Sequence, residues 1–248
     1  MHKILIIGGT SESNKLADSL SDTFIPILSL QGNTEKPRLG NYANRIGGFG
    51  GIEGLKSYLL GESIDAVVDA SHPYSRQISK NVLAATQELN IKLYQLHRPA
   101  WKKVPSDSWF EVSSFGEASF MANNLPRDSR IFLTIGKKNL EIFEKSNNWM
   151  MFRTIDKYQK FISKGKKYLV GRGPFRLVSE LINMRNNKIT HLITRNSGSR
   201  ETYAKIQACR ILNIPIIMVG RENDDAAKKN SSIDNIKANL LIHFGLNK

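Results

Sequence analysis

The 248-residue chain has one cysteine, Cys209, so no internal disulfide is available and the fold has to rest on packing. That usage points to a reducing compartment, and a cytoplasmic protein is expected; Cys209, inside AKIQACRIL, reads as an inert core thiol. No apolar run approaches the roughly 20 residues of a membrane helix. An apolar strand pattern already begins at Lys3, which leaves no room for a signal peptide. Acidic residues are the scarce charge, 22 against 36 Lys and Arg, for a formal net charge of +14. Such an excess favours anionic partners. The basic residues are nonetheless scattered in short pairs such as Lys102-Lys103 and Lys166-Lys167, and no zinc, RRM or KH signature appears. Neither a nucleic acid nor a membrane is therefore expected as partner, and a basic nucleic-acid-binding α/β protein is the weaker alternative. Also missing are a Ser-His-Asp order, H-E-x-x-H and any cysteine pair, so no metal site and no nucleophilic hydrolysis is expected. What remains is chemistry carried by a bound cofactor.

What is present is alternation. Apolar strand patterns at 3–7, 24–29, 65–70 and 92–96 alternate with helical patterns near 12–20, 52–60 and 75–90. A polar, proline-bearing stretch after Trp101, KKVPSDSW, reads as a linker. A second series follows, with strands near 130–135, 149–154, 167–170, 190–194 and 215–219 and helices near 115–124, 137–145, 175–185 and 200–212. Residues 222–235 read as a polar loop and 234–244 as a last helix. The expected fold class is α/β, two domains with parallel sheets, residues 1–101 and 102–248, with a cofactor cleft between them.

Ligands of such sheets bind beyond the carboxyl ends of the strands, where the informative loops fall. In KILIIGGTSES a β-branched run meets Gly8 and Gly9, then Thr10, Ser11 and Ser13 as candidate helix caps. A helix begun there offers free N–H groups to a phosphate, but GGTSES is not G-x-G-x-x-G, so a phosphate site and a plain turn both remain open. Four glycines in five residues, Gly47, Gly48, Gly50 and Gly51 around Phe49, favour backbone laid against a ligand over a mobile loop. AVVDASHPYS ends a strand on Asp69 and places Ser71, His72 and Pro73 before a helix beginning near Tyr74; His72 is a candidate proton donor or a turn-binding histidine. The loop after the second strand, around Gly32, has no acid at its start and carries Lys36 and Arg38, which tilts a dinucleotide site towards NADP, with Glu35 opposing. In the second half, Thr134 and Gly136, Asn196-Ser197-Gly198 and Arg221 all follow strands, an arrangement suited to anions. Lys205 falls about two turns into the helix near 200–212, where a surface lysine is the plain alternative.

These blocks resemble the precorrin-6A reductase (or cobalt-precorrin-6A reductase) family of cobalamin biosynthesis. The match runs in order through GGTSES, RIGGFGGIEGL, VVDASHPYS, LHRPAW, LTIGKKNL, GRGPF with Glu180, RNSG with Thr202, Ala204 and Lys205, and IPIIMVGR. The resemblance implies two Rossmann-like domains, NADPH as cofactor with NADH possible, and hydride transfer to a ring double bond of an acidic, porphyrin-related tetrapyrrole. It places Gly8, Gly9, Thr10, Glu12, Gly32, Gly47, Gly48, Gly50, Gly51, Ser71, His72 and Pro73 on the dinucleotide side, with Thr134 and Gly136 completing cofactor contacts. Asn196, Ser197, Gly198, Lys205 and Arg221 are its substrate-side residues, and His72 and Lys205 the candidates for assisting catalysis. The chain departs from the family's pattern at Asn33, Tyr74, Arg195 and Glu222. Another NAD(P)-dependent dehydrogenase of an anionic substrate is the main alternative, since a fold alone does not fix a substrate. The oligomeric state is left open, with a monomer compatible.

Overall fold

A computed structural model of the chain describes residues 1–32, 34–144, 146–156, 166–221 and 232–246. The chain divides into two compact units, Met1–Pro99 together with the C-terminal segment, and Ala100–Asn223.

In the first unit five parallel strands, β1 (Lys3–Ile7), β2 (Ile25–Leu30), β3 (Ala43–Ile46), β4 (Ala66–Asp69) and β5 (Lys92–Gln95), lie in the order β3-β2-β1-β4-β5. The helices α1 (Ser11–Leu20), α2 (Gly51–Gly61) and α3 (Arg76–Glu88) make the crossovers. Val67, Leu5 and Ile27 pack against α2 and α3, whereas Ile4, Ile6, Leu28 and Val68 pack against α1. A sheet buried on both faces explains why its central strands are continuous apolar runs. The order reverses between β1 and β4, and such a switch point opens a crevice at the strands' carboxyl ends.

The second unit carries six parallel strands, β6 (Trp109–Val112), β7 (Arg130–Thr134), β8 (Trp149–Thr154), β9 (Lys166–Val170), β10 (His191–Arg195) and β11 (Ile216–Val219). Their order is β6-β11-β10-β7-β8-β9, which puts a switch point between β7 and β10. Its helices are α4 (Phe115–Asn123), α5 (Leu177–Asn186) and α6 (Ala204–Ile211).

Several expectations are corrected. The final helix, α7 (Ile233–His243), was assigned with residues 102–248, but Ile236 and Leu240 lie in the first unit's core beside Leu16 and Leu20, and Lys237 Nζ donates to Ser19 O at 2.7 Å. Two strands were not foreseen. ANRI, on the sheet edge, is too exposed to show an apolar pattern, and WFEV begins at Trp109, the last residue of the stretch read as a linker. Residues 137–145 do not form one helix: two 3₁₀ turns, Lys137–Asn139 and Glu141–Phe143, stand there, and Lys145 lies outside the described residues. The helix placed at 200–212 is a 3₁₀ turn, Arg200–Thr202, followed by α6. Asn33, Glu222 and the part of the expected loop over 222–231 also lie outside the described residues. Among the described residues no helix is long and apolar enough to cross a membrane, and no cluster of three or more metal-ligating side chains occurs.

Candidate functional site

In the first unit the carboxyl ends of β1, β2, β3 and β4 gather the expected dinucleotide residues along one rim. Gly8 and Gly9 have different reasons to be glycine. A Cβ on Gly8 would come within 2.6 Å of Leu28 Cδ1, and its N–H donates to Ser29 O at 2.8 Å, so Gly8 serves close packing and sheet bonding. Gly9 has φ +114 and open space where a Cβ would stand, so it is the turn itself that requires glycine there. Thr10 and Ser13 form a reciprocal cap: Ser13 N–H donates to Thr10 Oγ1 at 3.1 Å and Thr10 N–H to Ser13 Oγ at 3.3 Å. Thr10 Oγ1 also donates to Ala70 O at 3.0 Å, tying the turn after β1 to the loop after β4 across the switch point. The Thr10 side chain is thus engaged in holding the turn. Backbone amides of the first turn of α1, which no intrahelical carbonyl can satisfy, are what this turn offers an anion.

Glu12 lies in that same turn, where a carboxylate favours the helix but not a phosphate. Arg98 answers it, with Nη1 at 3.4 Å from Glu12 Oε2. Arg98 comes from the segment after β5 and is missing from the candidates drawn from the sequence. The block LHRPAW held it, but nothing in its spacing tied it to Glu12.

The glycine loop is built on Arg45. Its guanidinium donates to Gly47 O at 2.5 Å and Gly48 O at 2.7 Å, and lies 3.8 Å from the centre of the Phe49 ring. Gly47, Gly50 and Gly51 have φ of +127, +78 and +94, conformations that L side chains rarely adopt. Gly48 has neither a positive φ nor any atom within 4 Å of where its Cβ would stand. The chain's own packing does not require glycine at Gly48. Gly32, just after β2, has φ +80, and a Cβ there would stand 3.1 Å from Ile46 Cγ2.

After β4, Asp69 is buried and its Oδ1 accepts from Ser71 N–H at 3.0 Å. Ser71 Oγ and Ser79 Oγ stand 3.2 Å apart. His72 Nδ1 accepts from Tyr74 N–H at 3.2 Å, which in the neutral ring leaves the proton on Nε2. Pro73 does not enter a helix. It lies in a turn closed by Ser75 N–H to His72 O at 2.7 Å, and α3 begins only at Arg76.

The second unit gathers its candidates at the β7 and β10 ends. Thr134 Oγ1 donates to Thr194 Oγ1 at 2.7 Å across the two central strands. Gly136 has φ +83 and faces the Arg195 guanidinium, 3.6 Å from where a Cβ would stand. Asn196 plays a structural part with its side chain: Oδ1 accepts from Trp101 N–H at 2.7 Å and Nδ2 donates to Trp101 O at 3.0 Å, a clamp on the start of the unit. Ser197 Oγ accepts from Ser199 N–H at 3.4 Å and sits 3.4 Å from Thr202 Oγ1, Gly198 turns the loop with φ +68, and Arg221 Nε donates to Asn196 O at 2.8 Å.

Lys205 differs most from expectation. It is the second residue of α6, not two turns into a helix, and it is 4% exposed. Its Nζ lies 5.2 Å from the centre of the Trp101 ring. Burial, then the positive charge of Arg153, lowers its pKa to about 7, with Glu180 opposing and Arg195 adding to the fall. Cys209, one turn on, is buried and its thiol pKa is pushed up by that burial, as suits an inert thiol.

Each unit is therefore a doubly wound α/β sheet with its candidate residues at a switch point, the class of protein that binds nucleotides there. The model of the Precorrin-6x reductase CbiJ/CobK family matches residues 3–240, and the chain belongs to that family. It is 38% identical to the precorrin-6A reductase of Rhodococcus erythropolis over 226 residues, 89% of this chain and 90% of that protein. It is 25% identical to the cobalt-precorrin-6A reductase of Priestia megaterium over 240 residues, 88% of this chain and 90% of that one. The solved structure titled CobK precorrin-6A reductase superposes with a TM-score of 0.88 at 30% identity, covering 98% of this chain and 97% of that chain.

Proposed function

We propose that the chain is an NADPH-dependent reductase of precorrin-6A, adding a hydride and a proton across a ring double bond to give precorrin-6B. The reading rests on family membership and on one observation above the others: Gly48, at the strand-end rim, is a glycine with open space at its Cβ that no internal contact explains. The metal-free ring is favoured as substrate because the precorrin-6A reductases of Rhodococcus erythropolis and Mycobacterium tuberculosis are 38% and 35% identical, the cobalt-precorrin-6A reductase of Priestia megaterium 25%.

The residues present fit a dinucleotide. The first turn of α1 offers backbone amides to a phosphate, Gly47, Gly48, Gly50 and Gly51 let backbone approach it, and Ser71 and His72 border the same rim. β2 ends in Leu30 with no acid to repel a 2′-phosphate, and Lys36 and Arg38 follow, which is the basis for NADPH over NADH. When bound, the cofactor supplies the hydride. The chain's part is to orient the partners, exclude water and hold a proton. His72, with Nε2–H as donor, and Lys205 are the groups assigned to proton handling, and Arg195, Ser197, Gly198 and Arg221 to an acidic substrate.

The test is reduction of precorrin-6A and of its cobalt form, followed by the spectrum of the ring, with NADPH and NADH in turn. Turnover of precorrin-6A with NADPH is the expected result. Micromolar binding of NADPH without reduction of either ring would favour a dehydrogenase of another anionic substrate.

A further inference from the structure

The second unit buries an ion pair deep in its interior. Glu180, on the first turn of α5, is 1% exposed, and Arg153, on β8, is 7% exposed. Their ion pair, Arg153 Nη1 to Glu180 Oε1, measures 2.5 Å. It is incomplete: Glu180 Oε2 and Arg153 Nη2 are buried with no hydrogen-bond partner among the described residues. The Arg153 guanidinium lies 3.8 Å from the centre of the Phe175 ring and 5.0 Å from that of Phe132, so aromatic faces flank it.

A buried pair that leaves lone pairs and donors unmet is a weak source of stability, and an apolar replacement would often serve the fold as well. Its position offers another reason. α5 and α6 pack side by side, with Cys209 Sγ and Met184 Sδ 3.9 Å apart. Glu180 precedes Met184 by four residues and Lys205 precedes Cys209 by four, so each lies one turn towards the N-terminus on the same helix face as the contacting sulfur. That stacking makes Glu180 and Lys205 neighbours across the two packed helices, so the Glu180 charge acts on Lys205 without a direct ion pair between them. The charged and titratable groups acting on Lys205 are Arg153, Glu180, Arg195 and Cys209. Glu180 is the one carboxylate among two guanidiniums and a neutral thiol.

We propose that Glu180 is a positioning residue for Lys205: held by Arg153, its carboxylate keeps the Lys205 side chain able to carry a proton inside a buried, otherwise cationic cluster, so that Lys205 serves as proton source. This rests on the reductase reading for its catalytic half only. The reduction adds a hydride to one atom of the ring double bond and a proton to the other. Lys205 Nζ gives up that proton, the π pair forms the new bond to it, and the amine left behind takes a proton back from water.

The experiment is NMR titration of the full chain carrying lysine labelled with carbon-13 at Cε, with the Lys205 resonance identified by its loss in K205M. The wild-type midpoint is expected near 7. E180Q, folded by near-ultraviolet circular dichroism, is expected to lower it by about one unit or more, because the one opposite charge is gone. R153Q is expected to raise it. An unchanged midpoint in folded E180Q overturns the proposal. If E180Q does not fold, its lysines converge on about 10.4, and R153Q decides, since an unchanged midpoint there overturns the proposal too. The pH dependence of kcat is then read on the same proteins. Activity that needs the ammonium falls as pH rises through the midpoint, and in E180Q that fall moves to lower pH by the shift seen in the NMR titration. A shifted NMR midpoint with an unmoved kcat profile overturns the proton-source half. Absence of any wild-type turnover speaks against the reductase reading and leaves the NMR result intact.

Discussion

The Arg45 guanidinium lies 3.8 Å over the Phe49 ring while donating to the carbonyls of Gly47 and Gly48, so one side chain fixes the course of the whole glycine loop. Such a contact is stabilising by about 0.5–2 kcal/mol depending on desolvation. R45A is therefore expected to lower thermal stability little, yet to let the loop wander and weaken NADPH binding by about tenfold, the equivalent of about 1.4 kcal/mol. Fluorescence titration of bound NADPH measures this directly. R45K should not restore binding, because a single ammonium cannot bridge two carbonyls and stack at once.

Gly8 and Gly48 should separate folding from binding. A methyl on Gly8 meets Leu28 and Leu30 in a full core, so G8A is expected to cost about 1–3 kcal/mol of stability. A methyl on Gly48 meets nothing, so G48A should unfold within about 0.5 kcal/mol of wild type. Its NADPH affinity is nevertheless expected to fall. Urea unfolding beside cofactor titration gives both numbers. Unchanged affinity in G48A would remove the main structural support for a ligand at that loop.

The central strands, the glycine loops and the switch-point candidates were legible in the sequence because parallel strands buried on both faces must be continuous apolar runs, and KILII, AVVD and IIMV are. The edge strands β3 and β6 carry no such mark. ANRI is mostly exposed, and WFEV, only four residues long, is buried at Trp109 and Val112 and exposed between them. The side-chain roles were less legible than the residues themselves. The clamp that the Asn196 side chain forms on Trp101 was not foreseen, whereas the cap formed by Thr10 was among the readings of GGTSES. Asn196 belongs to a loop whose hydrogen bonds are decided by a tertiary neighbour. Arg98 and Arg153 were missed for the converse reason, since each acquires meaning only from a partner 86 or 27 residues away, Glu12 or Glu180.

Asp107 makes the acid stability of the second unit testable. It is buried and accepts from Val104 N–H at 2.9 Å and from Arg210 Nε and Nη2 at 2.8 and 3.3 Å. Burial works against its charge, but Arg210 and the Val104 amide prevail and hold the carboxyl below the ordinary aspartate range. A group lowered on folding contributes stability that is present above its unfolded value, about 3.9, and is lost as pH falls through the lower folded value. D107N is thus expected to be less stable at pH 7 by about 2–4 kcal/mol, because Arg210 loses its partner. Its stability should also decline less steeply than wild type below about pH 4. Chemical denaturation across pH 3 to 7, at roughly unit intervals, reads both.

Lys205 should do the opposite. Its pKa in the fold, about 7, lies below the ordinary lysine value of about 10.4, so between those values the unfolded chain binds the extra proton. Stability that depends on this group therefore rises with pH from about 7 towards 10, and is lowest where the buried amine is charged. Replacing it by methionine keeps the stem's packing against Trp101 and removes the charge. K205M is accordingly expected to be more stable than wild type at pH 6 to 7, on the order of 1 kcal/mol, with the gap closing towards pH 10, while kcat falls steeply. Thermal melts at several pH values, read beside turnover, test this. A K205M protein that is destabilised at neutral pH would mean that the ammonium is satisfied in the fold, and the case for a proton poised to leave it would fail.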